Sequence, residues 1–186
     1  MTIAVLALQG AFLEHEQMLE RLEVDYFEIR KKSDLKRSFD GLILPGGEST
    51  AMGKLLQELK MMDDLKEQIE QDMPVLGTCA GMILLAKEFS NDANTYFATM
   101  PICVRRNAYG RQLGSFETRG TFADSTDIPM IFIRAPYMEA VYEGTRALSV
   151  VNEKIVAAQY KNQVVTSFHP ELTGDITVHQ HFLNLI

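Results

Sequence analysis

The chain lacks tryptophan altogether and has only two cysteines and four histidines among 186 residues. Two cysteines, Cys79 and Cys103, are too few for a disulfide-stapled scaffold, so both are expected as free thiols in a reducing cytoplasm. No apolar run is long enough to span a bilayer. The opening MTIAVLALQG lacks a basic leader and a cleavage-site pattern, and reads as a first strand rather than a signal peptide. Basic charge is also in deficit. The formal net charge of −7 argues against a general nucleic-acid binder and gives no attraction to anionic membranes. Repeats, low-complexity tracts and linkers are missing too, so residues 1–186 read as one domain. With 46% hydrophobic and 23% charged residues, that domain has the balance of a globular protein with a sizeable core.

What is present is an alternation of two periods. TIAVLAL, VDYFEI, GLILP and MPVLGT are short apolar or β-rich runs. Between them, EHEQMLERLE and the segments 49–59 and 63–71 carry helical spacing, and AGMILLAKEF reads as a mostly apolar helix. KKSDLKR reads as a solvated connection. Strands alternating with helices predict an α/β fold with a mostly parallel central sheet flanked by helices on both faces. Continuous apolar strands suit burial on both sides. After Ser90 the texture changes. RNAYGRQLGSFETRGTF reads as an irregular excursion or long hairpin, and MIFIRAP as a short strand. ALSVV, KIVAAQY and QVVTSF follow as a β-meander turning at Asn152-Glu153 and Lys161-Asn162. GDITVHQHFLNLI predicts a terminal helix with Asp175 as its N-cap.

In open parallel sheets, ligands bind beyond the carboxyl ends of the strands. Three features fall there. In GTCAG, residues 77–81, cysteine occupies the centre of a nucleophile-elbow pattern. A strand must turn at once into a helix there, and flanking glycines let the backbone pack closely. An isolated cysteine is more often a packed thiol; with both glycines at a strand–helix junction, Cys79 reads as a nucleophile, with the Ala80 N–H facing an oxyanion. In SFHPE, His169 ends a strand and Glu171 follows two residues on. If the segment is extended, both point to one side, and Glu171 orients His169 as base. A solvent-exposed turn is the equally weighted alternative. In PGGEST, Gly46 and Gly47 let N–H groups turn toward negative charge, and Ser49 or Thr50 caps the next helix. Taken alone that motif is more simply a strand-to-helix turn. It is not a phosphate loop, because no G-K-[ST] follows.

Of the other histidines, His15 lies in the first helix near Met18 and Leu19 and reads as structural. His179 and His181 are two apart in the last helix, the wrong spacing for one face, so no shared metal is expected. Arg105, Arg106 and Arg134 are the cationic candidates for a substrate carboxylate, although a surface ion pair is the commoner role of any single arginine. Cys103 has no elbow and reads as buried.

The stretches LQGAFLEH, GLILPGGESTAM, GTCAGMILLAKE, RRNAYGRQ, SFE, FIRAP and SFHPELTGD together resemble a class I glutamine amidotransferase. More narrowly, they resemble the glutaminase subunit of pyridoxal 5′-phosphate synthase, over essentially the whole chain. The resemblance implies a flavodoxin-like class I glutaminase architecture with a C-terminal β-meander. It implies a Cys79–His169–Glu171 triad that hydrolyses L-glutamine through a γ-glutamyl thioester, with no metal or cofactor. Glutamine-binding positions fall on Gly47, Glu48, Ser49, Arg106, Ile133 and Arg134, with Glu48 suited to the α-ammonium and Arg106 to the α-carboxylate. Oxyanion donors fall on Gly46, Gly47 and Ala80. A separate synthase subunit in a large hetero-oligomer is the implied partner and ammonia acceptor, with docking as the switch and a cytoplasmic setting. Two departures stand out: Gly114 replaces a usually acidic or polar residue, and the chain stops at Ile186 where relatives often run further, an end expected to weaken docking. A stand-alone γ-glutamyl cysteine hydrolase of the same fold, or a catalytically silent regulatory domain, are the competing expectations.

Overall fold

The computed structural model describes residues 1–106 and 115–186. Gly114 and most of RNAYGRQ therefore lie outside the described residues. In chain order the first half runs β1 (Thr2–Leu6), α1 (Phe12–Arg21), β2 (Asp25–Ile29), β3 (Gly41–Leu44), α2 (Ser49–Glu58), α3 (Met62–Glu70), β4 (Val75–Thr78) and α4 (Ala80–Leu85). The second half runs β5 (Ala86–Phe89), β6 (Met100–Arg105), β7 (Ser115–Phe122), β8 (Ser125–Ile133), β9 (Tyr137–Val141), β10 (Thr145–Val151), β11 (Lys154–Tyr160), β12 (Gln163–Thr166) and α5 (Thr177–Leu183).

The main sheet has the order β2-β1-β3-β4-β12-β11-β9-β6-β5, with β10 on β11. From β2 to β12 every neighbour is parallel. Counting β12 as the fifth parallel strand gives the order 2-1-3-4-5, that of flavodoxin-like doubly wound sheets. The β10-β11-β12 meander is antiparallel, as are the β11–β9 and β9–β6 pairs. The expected fold class holds, with a mixed rather than wholly parallel sheet.

Strand alternation divides the core between the two faces. Ala4, Leu6, Leu42, Leu44, Val75 and Val165 face α2, α3 and α4, whose Met52, Leu56, Leu65, Ile69 and Leu84 cover them. Ile3, Val5, Ile43, Leu76 and Val164 face the other way, against Leu19 of α1, Phe182 of α5, and Phe122, Met130 and Phe132 of the β7–β8 hairpin. No helix among the described residues is long and apolar enough to cross a membrane.

Four local expectations are corrected. AGMILLAKEF does not stay helical: α4 stops at Leu85, and β5 pairs in parallel with β6. A short apolar run has no period to separate helix from buried strand, and the available partner strand decides. The MIFIRAP strand is the end of the nine-residue β8, paired with β7. Asp175 does accept from the Thr177 N–H at 2.8 Å, but the boundary residue of α5 is Ile176. Cys103, on β6, is only half-buried, because β6 lies one strand from the sheet edge; burial, with Glu88 and Glu139 nearby, pushes its thiol pKa up. KKSDLKR is a solvated 3₁₀ turn at Lys32–Lys36.

Candidate active site

The parallel strands deliver four chain segments to one end of the sheet. The sharpest turn is at Cys79, between β4 and α4, with φ 49° and ψ −98°. For a non-glycine residue this conformation costs about 1–3 kcal/mol. Its surroundings enforce it. The Cys79 N–H donates to the Thr166 carbonyl of β12 at 2.8 Å, and a Cβ on Gly81 would lie 2.0 Å from the Leu44 carbonyl oxygen of β3. Gly77 is likewise pressed against the Gly81 backbone. The two glycines of the elbow therefore let α4 start directly against two strands.

His169 follows β12, and its N–H donates to the Ile131 carbonyl of β8 at 2.8 Å. The segment after it is not extended as the sequence suggests. Pro170–Leu172 form a 3₁₀ turn, and the turn brings Glu171 back under the imidazole. The Nδ1···Oε1 distance is 2.6 Å, with both residues buried. The remaining ring nitrogen, Nε2, is left for the Cys79 thiol, and both residues line one cavity. Burial disfavours the imidazolium, but the bonds to Cys79 and Glu171 and their charges outweigh it and push the His169 pKa up to about 10.

A cavity of about 470 Å³ opens on these groups, within the range of small-molecule sites. Cys79 and His169 line it, and so do the expected Gly47, Glu48, Ser49, Arg106, Ile133 and Arg134. Glu171 stands behind His169. Gly46 packs flat against the imidazole, where a Cβ would come 2.2 Å from Cε1. Ala80 opens α4 next to the nucleophile. The Gly46 carbonyl accepts from the Ala11 N–H at 2.9 Å, so the trans peptide sends the Gly47 N–H the opposite way.

The polar rim is organised differently from expectation. Neither Ser49 nor Thr50 caps α2. The Glu48 carboxylate does, accepting from the Thr50 N–H at 3.0 Å and the Ala51 N–H at 2.7 Å. Burial works against its charge, but these two N–H groups and Arg106 hold its carboxyl below the usual range. Ser49 and Thr50 instead turn their hydroxyls to Arg106 Nη2, at 3.1 and 3.0 Å. Arg106 Nη1 pairs with Asp92 at 2.7 Å. Arg105 points elsewhere, to Glu139 on the exposed side of the sheet. Arg134 reaches the rim from a left-handed conformation, φ 45°.

Sequence reading missed Asp92, Gln9, Ile83 and Pro136. Gln9 had a signal in its place just after β1; its Oε1 accepts from the Glu48 N–H at 2.7 Å and covers Gly47. Asp92 had none, being one acidic residue in a polar loop. His179 and His181 do diverge. His181 bonds Gln159 and meets Phe122 edge-on, while His179 is buried against His15. Among the described residues no cluster of three or more His, Cys, Asp or Glu side chains is arranged to hold a metal.

A 2-1-3-4-5 sheet with a cysteine on the elbow after β4, next to a His–Glu pair, has the arrangement of a class I glutaminase. The chain belongs to the SNO glutamine amidotransferase family, which it matches over residues 5–186. It is 56% identical over 186 residues to the pyridoxal 5′-phosphate synthase subunit PdxT of Desulfitobacterium hafniense strain Y51, covering 100% of this chain and 94% of that one. It is 52% identical over 188 residues to the subunit of the same name from Haemophilus influenzae strain PittGG, covering 100% and 98%. A solved crystal structure of a glutamine amidotransferase superposes with a TM-score of 0.92 at 39% identity, over 98% of this chain and 97% of the other.

Proposed function

We propose that Cys79, His169 and Glu171 hydrolyse L-glutamine to L-glutamate and ammonia, and that the ammonia passes to a separate synthase subunit that builds pyridoxal 5′-phosphate. The observation that carries this reading is the strained Cys79 elbow, which shares a cavity with an imidazole that Glu171 holds from behind. The reading takes residues 1–186 as one glutaminase domain acting in the cytoplasm. The shared sheet between the two core clusters and the two free thiols support it.

The raised His169 pKa keeps the thiol proton on Nε2, and the Cys79 thiolate attacks the side-chain amide carbon. The carbonyl electron pair moves to oxygen, where the N–H groups of Ala80 and of the Gly46–Gly47 segment meet it. On collapse, His169 returns the proton to the amide nitrogen, the C–N bond breaks, and ammonia leaves a γ-glutamyl thioester. Water then gives a proton to His169 and its oxygen to the acyl carbon, and Sγ departs as thiolate beside the restored imidazolium. Glu171 holds the imidazole by its Nδ1–H throughout. At the other end of the substrate, Arg106 binds the α-carboxylate, and Glu48 receives the α-ammonium on lone pairs left free by its cap. Arg106→Lys is expected to raise KM for glutamine by roughly tenfold or more with a smaller effect on kcat, because an ammonium cannot reproduce the forked contact. Steady-state kinetics check this.

Ammonia protonates in bulk water, and the described residues hold no synthase site, so transfer needs a docked partner. We place the docking switch at the Gly46–Gly47 peptide, whose reorientation breaks the Gly46–Ala11 bond. Ammonia release is therefore expected to be low for the chain alone and to rise when the synthase subunit is added. Equal turnover in both conditions overturns the switch. Full activity alone on γ-glutamyl peptides points to a stand-alone hydrolase, and no activity in either condition to a silent domain.

A further inference from the structure

Beneath the triad lies a second set of buried polar groups that the hydrolytic steps above do not use. His15 of α1 is fully buried. Its Nδ1 lies 2.9 Å from Nε2 of His179 in α5, and its Nε2 lies 3.1 Å from the Thr78 hydroxyl, one residue before Cys79. The same Nε2 is 3.6 Å from Glu171 Oε2. That oxygen is buried and has no hydrogen-bond partner among the described residues, while Oε1 of the same carboxylate binds His169. Half of the carboxylate is thus supported by His169, and the other half faces one ring nitrogen of His15.

The tautomers follow from satisfying these groups. Burial, together with the neighbouring His179 and His169, lowers the His15 pKa well below that of a free imidazole, and burial takes His179 down to about 4. Both rings are neutral, so each carries one proton. With the proton of His15 on Nδ1, its bare Nε2 lone pair faces the carboxylate. His179 then carries its proton on Nδ1, a buried atom with no partner. With the proton of His15 on Nε2, an N–H points at Thr78 and Glu171, His179 Nε2–H donates to His15 Nδ1, and the unpartnered atom is only an acceptor. Orphaned buried donors are the rarer case, and an N–H toward a carboxylate is attractive where a lone pair is repulsive. Both ends of the chain select the second arrangement.

We propose that His15, held as its Nε2–H tautomer by His179, is a positioning residue for the glutaminase reaction: its N–H steadies the outer oxygen of Glu171 and so fixes His169 toward Cys79. The contact of 3.6 Å is a dipole facing a charge, not a hydrogen bond. Thr78, bonded to the same N–H, ties this support to the strand that carries the nucleophile. The titratable groups facing the carboxylate are His169 on its own turn and His15 from α1. Behind them stand Cys79 at the end of β4 and His179 from α5. The inference rests on the triad reading given above.

The test uses the complex with the synthase subunit and compares wild type with His15→Leu, His15→Gln and Glu171→Leu. For His15→Leu, kcat is expected to fall roughly tenfold, the scale of one weakened contact to a charged group. KM is expected to stay near its wild-type value, because His15 does not touch substrate. The acid limb of kcat/KM moves to higher pH, since removing the N–H that faces Oε2 takes away one of the groups favouring the charged carboxylate. His15→Gln, whose amide N–H can stand where Nε2–H stood, restores most of the loss. A role in packing alone changes the melting temperature and leaves the limb in place, and that result overturns the proposal. Nitrogen-15 NMR of the wild-type imidazoles decides the tautomer even if His15→Leu fails to fold: a proton on Nδ1 of His15 overturns it. If Glu171→Leu keeps full activity, the triad reading itself has failed. If Glu171→Leu is inactive and His15→Leu retains the wild-type kcat and pH profile, only the role of His15 has.

Discussion

Cys79→Ala is expected to abolish ammonia release from glutamine in the assembled complex, a loss of roughly 10⁴-fold or more. The size follows from the chemistry, since without sulfur no covalent bond to the amide carbon forms and His169 has no thiol proton to take. Stability should barely change. Alanine at φ 49° and ψ −98° carries the same backbone strain as cysteine, and only one partly packed atom is removed, so the unfolding free energy should stay within about 1 kcal/mol. A glutamine analogue with an electrophilic carbon at the amide position should add one equivalent to the wild-type chain and none to the variant, read by intact mass. Labelling of the variant at the wild-type rate, or retained ammonia release, removes Cys79 from the mechanism.

Gly46→Ala should also be strongly damaging, for a steric reason. The added Cβ meets His169 at 2.2 Å from Cε1 and 2.8 Å from Nδ1. The ring has little room to yield, because Glu171 holds Nδ1 at 2.6 Å and the His169 backbone is tied to Ile131. Either the imidazole turns away from Cys79, or the Gly46–Gly47 segment withdraws from the cavity and takes its oxyanion donors with it. A displacement of about 1 Å in a reacting group costs roughly a hundredfold, so kcat/KM should fall by at least that much. The crossing lies at the cavity rim, outside the two core clusters, so the circular dichroism spectrum and synthase binding should persist. Wild-type turnover by a folded Gly46→Ala variant would show that the close approach of glycine and imidazole has no part in catalysis.

The three motifs of the site were legible to different degrees. GTCAG could be read because an elbow needs small residues at fixed offsets, and that need is local. HPE was readable as a pairing but not as a geometry: an extended segment was expected, and a 3₁₀ turn makes the contact instead. PGGEST misled about its cap, because a glutamate that folds back on its own helix cannot be told from one that waits for a ligand. Strands β5, β6 and β9 left little trace, being short and mostly half-exposed, and they depend on one another for pairing. Asp92 joined the site from a loop whose composition says nothing of where it comes to rest.

By itself the sequence determined the α/β class and the parallel strands, and it singled out Cys79, His169 and Glu171 as the proposed triad. These rest on period, on turn chemistry and on residues with few alternatives. Only the tertiary structure decided which histidines meet. His15 and His179 are 164 residues apart in the chain yet 2.9 Å apart between ring nitrogens; both are buried, and His15 faces the Glu171 carboxylate. Sequence spacing constrains contacts within one helix or strand. Contacts between α1, α5 and the segment after β12 are set by how three elements pack on one face of a twisted sheet, and packing has no local signature.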